Sequence, residues 1–246
     1  MKSLKKIAVA VFITGFFAAS LFAQEQSSQK VSKKNESSEK ETSVESEYLS
    51  NIEDVIITEL SSSEERDNKL VALQYLENAI DDGRVSPDMI RALNQLAGEG
   101  ITSESRVNGR LANSFPDIRA KACDVLAKIP TEESKQILIK IALADNEPMV
   151  IAAAVRALGE IGINNDDEVT ETIAWVEKKN AVLNPTSSLA LEILIAFEKL
   201  MDTVQDKAPM VQAISQIAAN YNYITPVRTK ALELLKQLQN QNSSES

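Results

Sequence analysis

Between residues 68 and 80 the stretch NKLVALQYLENAI carries apolar residues at 72, 73, 76, 79 and 80, the three-and-four spacing of one helix face. An amphipathic helix is predicted there. The break DDGRVSP follows, with Gly83 as a stop and Ser86-Pro87 as cap and first-turn proline of the next helix. That helix, SPDMIRALNQLAGEG, should bury Met89, Ile90, Leu93 and Leu96 and end at Gly98 and Gly100. The same alternation of helical pattern and short break continues to about residue 239. Further helices are predicted over 51–62, 132–143, 168–180 and 207–219.

One segment of this pattern occurs more than once. PDIRAKACDVLAKI (116–129) returns as TPVRTKALELLKQL (225–238), with Arg119, Ala122 and Leu126 opposite Arg228, Ala231 and Leu235. The same register extends to five helices. Their anchor alanines are Ala72, Ala122, Ala154, Ala190 and Ala231, spaced 50, 32, 36 and 41 residues apart. Four residues on stand Leu76, Leu126, Leu158, Leu194 and Leu235; seven on stand Ala79, Ile129, Ile161, Phe197 and Leu238. A small residue lets a neighbouring helix approach, and the larger ones fill the space between layers. Each unit is therefore a helical hairpin whose apolar side only a neighbour can cover, and the fold class is all-α, a stack of about five hairpins.

These second helices resemble those of HEAT repeats, in particular a short HEAT-like group found also in phycobilin lyases. The group's pattern resembles D-x-x-V-R-x-x-A-x-x-A-L-G; its valine falls on Ile118, Val150 and Val227 and its arginine on Arg119 and Arg228, while Ile151 and Ser187 take the arginine position in the middle units. The resemblance covers roughly 50–239 and implies an α–α superhelix, but says almost nothing about activity. Its lyase branch implies a remote enzymatic alternative. A tetratricopeptide array fits poorly, because the spacing is uneven and the helices follow Pro116, Pro148, Pro185 and Pro226.

The ends read differently. Lys2, Lys5 and Lys6 precede an apolar run that closes at Phe22-Ala23-Gln24, the layout of a secretory signal (1–23) with cleavage after Ala23. The LFAQ ending resembles export signals of spirochaetes, and no cysteine follows that could carry a lipid. Retention would instead make residues 7–23 an inner-membrane anchor. Residues 24–47 are almost wholly polar and predict a flexible linker, 48–239 the repeat domain and 240–246 a tail. The expected compartment is the periplasm or envelope.

Composition then narrows the chemistry. The formal charge of −10 becomes −13 without residues 1–23, which opposes nonspecific binding to nucleic acid. There is no histidine and one cysteine, so Ser-His-Asp, Cys-His, H-E-x-x-H and C-x-x-C arrangements are all excluded. Cys123 follows an anchor alanine and reads as a packed residue. Asp166-Asp167-Glu168 reads as a helix N-terminal cap, with no calcium-loop spacing around it. No catalytic residue, cofactor or metal site is expected.

The candidate contact residues are of two kinds. Arg106 and Arg110, with no acid between them, form a positive spot in the segment GEGITSESRVNGRLANSFPDIR, which postpones the second anchor helix. Asp124, Arg156, Glu192 and Glu233 share one outward position of the repeat and suggest a selective polar surface. Trp175 reads as core. The expected function is a noncatalytic scaffold for a protein partner, with a chaperone-like or structural envelope component as the alternative.

Overall fold

The computed structural model describes residues 44–244, so the expected signal and most of the expected linker lie outside the described residues. Ten α-helices run through them: α1 Val44–Ser62, α2 Arg66–Asp81, α3 Pro87–Ala97, α4 Pro116–Leu126, α5 Glu132–Ala144, α6 Pro148–Ile161, α7 Glu168–Leu183, α8 Ser187–Leu200, α9 Ala208–Ala219 and α10 Thr225–Ser244. Helix starts follow local chemistry. The Met89 amide donates to Ser86 Oγ (3.2 Å) and the Ser134 amide to Thr131 Oγ1 (3.2 Å), each filling a first-turn vacancy. Prolines open α3, α4, α6 and α9, where a missing N–H costs nothing.

Consecutive helices pair as five hairpins, which stack so that α2, α4, α6, α8 and α10 form one layer and α1, α3, α5, α7 and α9 the other. The all-α stack of helical hairpins read from the sequence is the observed architecture. All five anchor alanines are buried, as are Leu76, Leu126, Leu158 and Leu194. Small residues set the closest approach. A Cβ placed on Gly159 of α6 would lie 2.8 Å from Ala196 Cα on α8, so only glycine permits that contact.

Several local expectations are corrected. Helix α1 begins at Val44, ahead of the expected domain start, and α10 continues to Ser244. Leu235 is only half-buried, and among the described residues no further hairpin covers α10. The long segment after α3 is not merely a loop: Arg106–Val107 (β1) pairs antiparallel with Arg110–Leu111 (β2) across Asn108-Gly109, both at positive φ. Trp175 is half exposed, with the Lys179 ammonium 5.6 Å from its ring centroid.

The acidic cluster before α7 also works differently from a simple cap. Asp166 and Asp167 take left-handed backbone conformations, and the Asp167 carboxylate accepts from the Gln205 and Asp206 amides, tying this turn to the approach to α9. The Thr170 amide donates instead to Asn164 Oδ1 (3.1 Å). Glu168 leaves the helix end to meet Lys135 of α5 at 2.8 Å.

Candidate functional site

The exposed side of the second-helix layer is built from four repeated positions: five, two and one residues before the anchor, and two after it. On α4 these are Asp117, Ala120, Lys121 and Asp124; on α6 they are Met149, Ala152, Ala153 and Arg156. With Glu147, Pro148, Ser188 and Glu192 they line a groove of about 700 Å³. Alanines form its floor because helix neighbours approach closely there, and longer side chains from the same helices stand up as its walls.

Three of the four sequence-predicted wall residues come together. Arg156 donates to Asp124 Oδ1 (2.6 Å) on one side and Glu192 Oε1 (3.0 Å) on the other, linking α4, α6 and α8 in one row. Partial burial opposes the charged guanidinium, but the two carboxylates outweigh it and hold its pKa above the usual range. Glu233 is exposed on α10 and is not part of this row. Of the neighbouring repeat position, Ala153 and Leu189 are buried rather than outward, and Lys121 reaches Glu77 of α2 at 2.6 Å. Hydrogen bonds from Lys121 and then Lys128 hold the Glu77 carboxyl below its ordinary pKa.

Similar pairs join the other second helices: Arg66–Asp117, Lys128–Asp81, Glu160–Lys199 and Glu198–Lys230. The face is thus charged but largely self-compensated, with an excess of carboxylates around the groove. Glu147 has no ion partner among the described residues.

The position three before the anchor does internal work. Arg119 is buried, donating through Nε to Asp145 Oδ2 (2.7 Å) and through Nη1 to the Glu99 carbonyl (3.2 Å). In the first hairpin the same position is Lys69, whose buried ammonium donates to Glu99 Oε2 (2.9 Å) and the Ser61 carbonyl (3.0 Å). Asn113 Nδ2 donates to Glu99 Oε1 (2.7 Å). Glu99 therefore ties the first hairpin to the second, and Arg119 carries the network on to Asp145 of the third. The sequence signal for Lys69 was its register with Arg119, which a search restricted to arginine passes over. In the α9–α10 hairpin, with no following layer among the described residues, Arg228 donates to the Ala218 carbonyl and lies 4.4 Å from the Tyr221 ring centroid.

The ribbon arginines separate. Arg106 is bound by Glu104 (2.8 Å), two residues ahead of it, whereas exposed Arg110 has no ion partner among the described residues. Only Arg110 keeps the expected free charge.

Two buried groups stand outside the groove. Cys123 is fully packed, and burial pushes its thiol pKa up, so it is a core residue without thiolate character. Glu177 of α7 is also buried, and neither carboxyl oxygen has a hydrogen-bond partner among the described residues. Burial raises its pKa to about 7. Burial, with a lesser contribution from the Glu177 charge, also raises buried Tyr223 to about 12.

Among the described residues no three His, Cys, Asp or Glu side chains converge as a metal site. No helix among them is long and apolar enough to cross a membrane. Residues 104–178, from the ribbon to the middle of α7, match the family model for HEAT repeats, so a HEAT-like repeat region is present there. No curated protein and no solved structure matches the chain.

Proposed function

We propose that this chain is a noncatalytic scaffold that holds a protein partner in the groove across α4, α6 and α8, and that it works in the periplasm or cell envelope. The carrying observation is the groove itself: about 700 Å³, floored by alanines and crossed by the Asp124–Arg156–Glu192 row. The row is held by three successive hairpins, so its spacing is fixed by the stack before any partner arrives. Such pre-organisation reduces the ordering cost of binding. Mixed charge favours one selective partner over the loose capture of many clients.

Affinity capture from an envelope fraction tests this reading. Changing Met149 and Ser188 together to arginine fills the groove mouth with bulky cations at sites that carry no core packing. A stoichiometric partner held by the native chain should be lost by this variant. Equal capture would remove the groove from the binding site. The ribbon is the competing contact, and the pair Arg106→Glu and Arg110→Glu separates the two: it should leave capture unchanged if the groove binds. A loss of at least tenfold, about 1.4 kcal/mol, would move the site to the ribbon. Turnover of a small molecule by the pure protein would overturn the noncatalytic reading.

A further inference from the structure

Burial at equivalent repeat positions shows which side of each second helix faces the layer before it and which the layer after. Three residues past the anchor stand Tyr75, Val125, Ala157, Ile193 and Leu234; the last four are buried, and Tyr75 is 38% exposed. One residue past it stand Leu73, Cys123, Val155, Leu191 and Leu232, of which only Leu232 is strongly exposed. The first set therefore faces the preceding layer and the second the following layer; among the described residues α2 has no preceding layer and α10 no following one.

The two ends of the stack of described helices differ in chemistry. At the α1–α2 end Tyr48 (65% exposed), Ile52 (40%), Val55 (64%) and Ile56 (39%) recur at helical spacing on α1, and Val71 and Tyr75 are exposed on α2. At the other end α9 and α10 expose Ser215, Glu233, Lys236 and Gln237, with Leu232 as the one strongly exposed large apolar residue of the two helices. Terminal repeats need a polar outer face to stay soluble, and only α9–α10 has one.

We infer that the α1–α2 end is a self-association surface, on which a second copy of this chain packs two-fold through Tyr48, Ile52, Val55, Ile56 and Tyr75. Their exposed area is several hundred Å², on the order of the ~800 Å² that each partner contributes to a standard interface. Head-to-tail stacking would set these residues against Ser215, Lys236 and the lone Leu232 and strand most of the apolar area on polar groups. End-to-end pairing instead sets apolar on apolar and closes after two copies. Glu53 and Asp54 do not oppose it, because Arg84 binds both. Glu45, Glu47 and Glu59 remain exposed on α1, giving the pair an acidic rim. Each dimer would present two grooves, so a partner with two matching segments would gain avidity.

Sedimentation equilibrium of the full chain, at low and moderate salt, tests the inference. The expected result is twice the chain mass, with the dissociation constant falling as salt rises, since salt screens the facing acids. Tyr48→Asp with Val55→Asp should weaken the dimer at least tenfold while circular dichroism stays unchanged. Val55→Cys adds the sole accessible thiol to a chain whose native Cys123 is buried, and a short bis-maleimide should then join two copies at that position. A monomer in which maleimide labels Val55→Cys freely would overturn the inference and give the patch to a different partner. A monomer in which it is protected would overturn it in favour of cover by the chain's own residues 1–43. A dimer unaffected by the aspartates would also overturn it.

Discussion

Two seams of the stack do the same job by opposite means. Between α6 and α8 the contact is dry and close: Gly159 meets Ala196, Ala157 and Ile193 are buried, and Leu158 and Leu194 fill the space between layers. Between α2 and the end of α3 it is polar, with Lys69, Glu99 and Asn113 buried in a hydrogen-bonded cluster beside a cavity of about 250 Å³. The difference follows from the chain between the hairpins. Where the connection is short, neighbouring second helices settle against each other. Where Gly98 to Phe115 intervenes, the chain must be tied back, and the Glu99 carboxylate does so from both sides. Gly100 belongs to this tie, because φ is +73° and an added Cβ would lie 2.7 Å from the Asn113 carbonyl oxygen.

The polar seam should be the more fragile to a single change. Lys69→Met strands the buried Glu99 carboxylate and should cost about 3–5 kcal/mol in urea unfolding. Adding Glu99→Gln to the same chain should recover part of that loss; a strictly additive double mutant would show that the two side chains do not act as a pair. At the dry seam Leu158→Ala should cost about 2–5 kcal/mol, because the fully buried side chain leaves a cavity. Gly159→Ala should cost about 1–3 kcal/mol by pushing α6 from α8, despite alanine's better helix propensity. A stabilised Gly159→Ala would show that the seam can open at no cost.

A smaller effect depends on pH. Glu177 has an ordinary pKa of 4.5 that burial raises to about 7, so between these values the native state keeps a proton that the unfolded chain has released. Stability should therefore fall as pH rises through this window and level off above it. Glu177→Gln removes the titration: the variant should match the native chain near pH 4 and exceed it at pH 8 by on the order of 2–3 kcal/mol. Parallel stability curves for the two proteins would place water or another group against the carboxylate. The smallest change is at the groove wall, where Asp124→Ala should cost under about 1 kcal/mol, since its pair with Arg156 is partly solvated.

How much of this was legible depends on whether a residue's role is fixed by its own helix. The anchor alanines and Leu126, Leu158 and Leu194 were, because helical spacing puts them on the apolar stripe and that stripe must be covered. Leu235 broke the rule where, among the described residues, no hairpin follows α10. The ribbon was legible too: Asn108-Gly109 is a hairpin signal that a helix-only reading overlooks. Trp175 was not, since its place beside the stripe leaves open whether α9 covers it, and the neighbouring helix leaves it half exposed over a shallow slot of about 180 Å³. The same holds for Glu177, a charged residue whose burial arises only when α7 packs into the stack. At the groove, repeat position brought Asp124, Arg156 and Glu192 to one face, but their pairing with one another depends on distances between helices that spacing does not contain.

The groove can be tested with the native side chains as reporters. Met149 stands at the groove mouth, 53% exposed on the second-helix layer, and Trp175 stands 50% exposed on the first-helix layer; both react with hydroxyl radicals. Footprinting of the chain alone and saturated with its captured partner compares them within one molecule. The expected result is oxidation of Met149 slowed at least tenfold with Trp175 unchanged. Undiminished oxidation of Met149, with protection of Trp175 or of the 104–111 ribbon, would contradict the groove as the partner site.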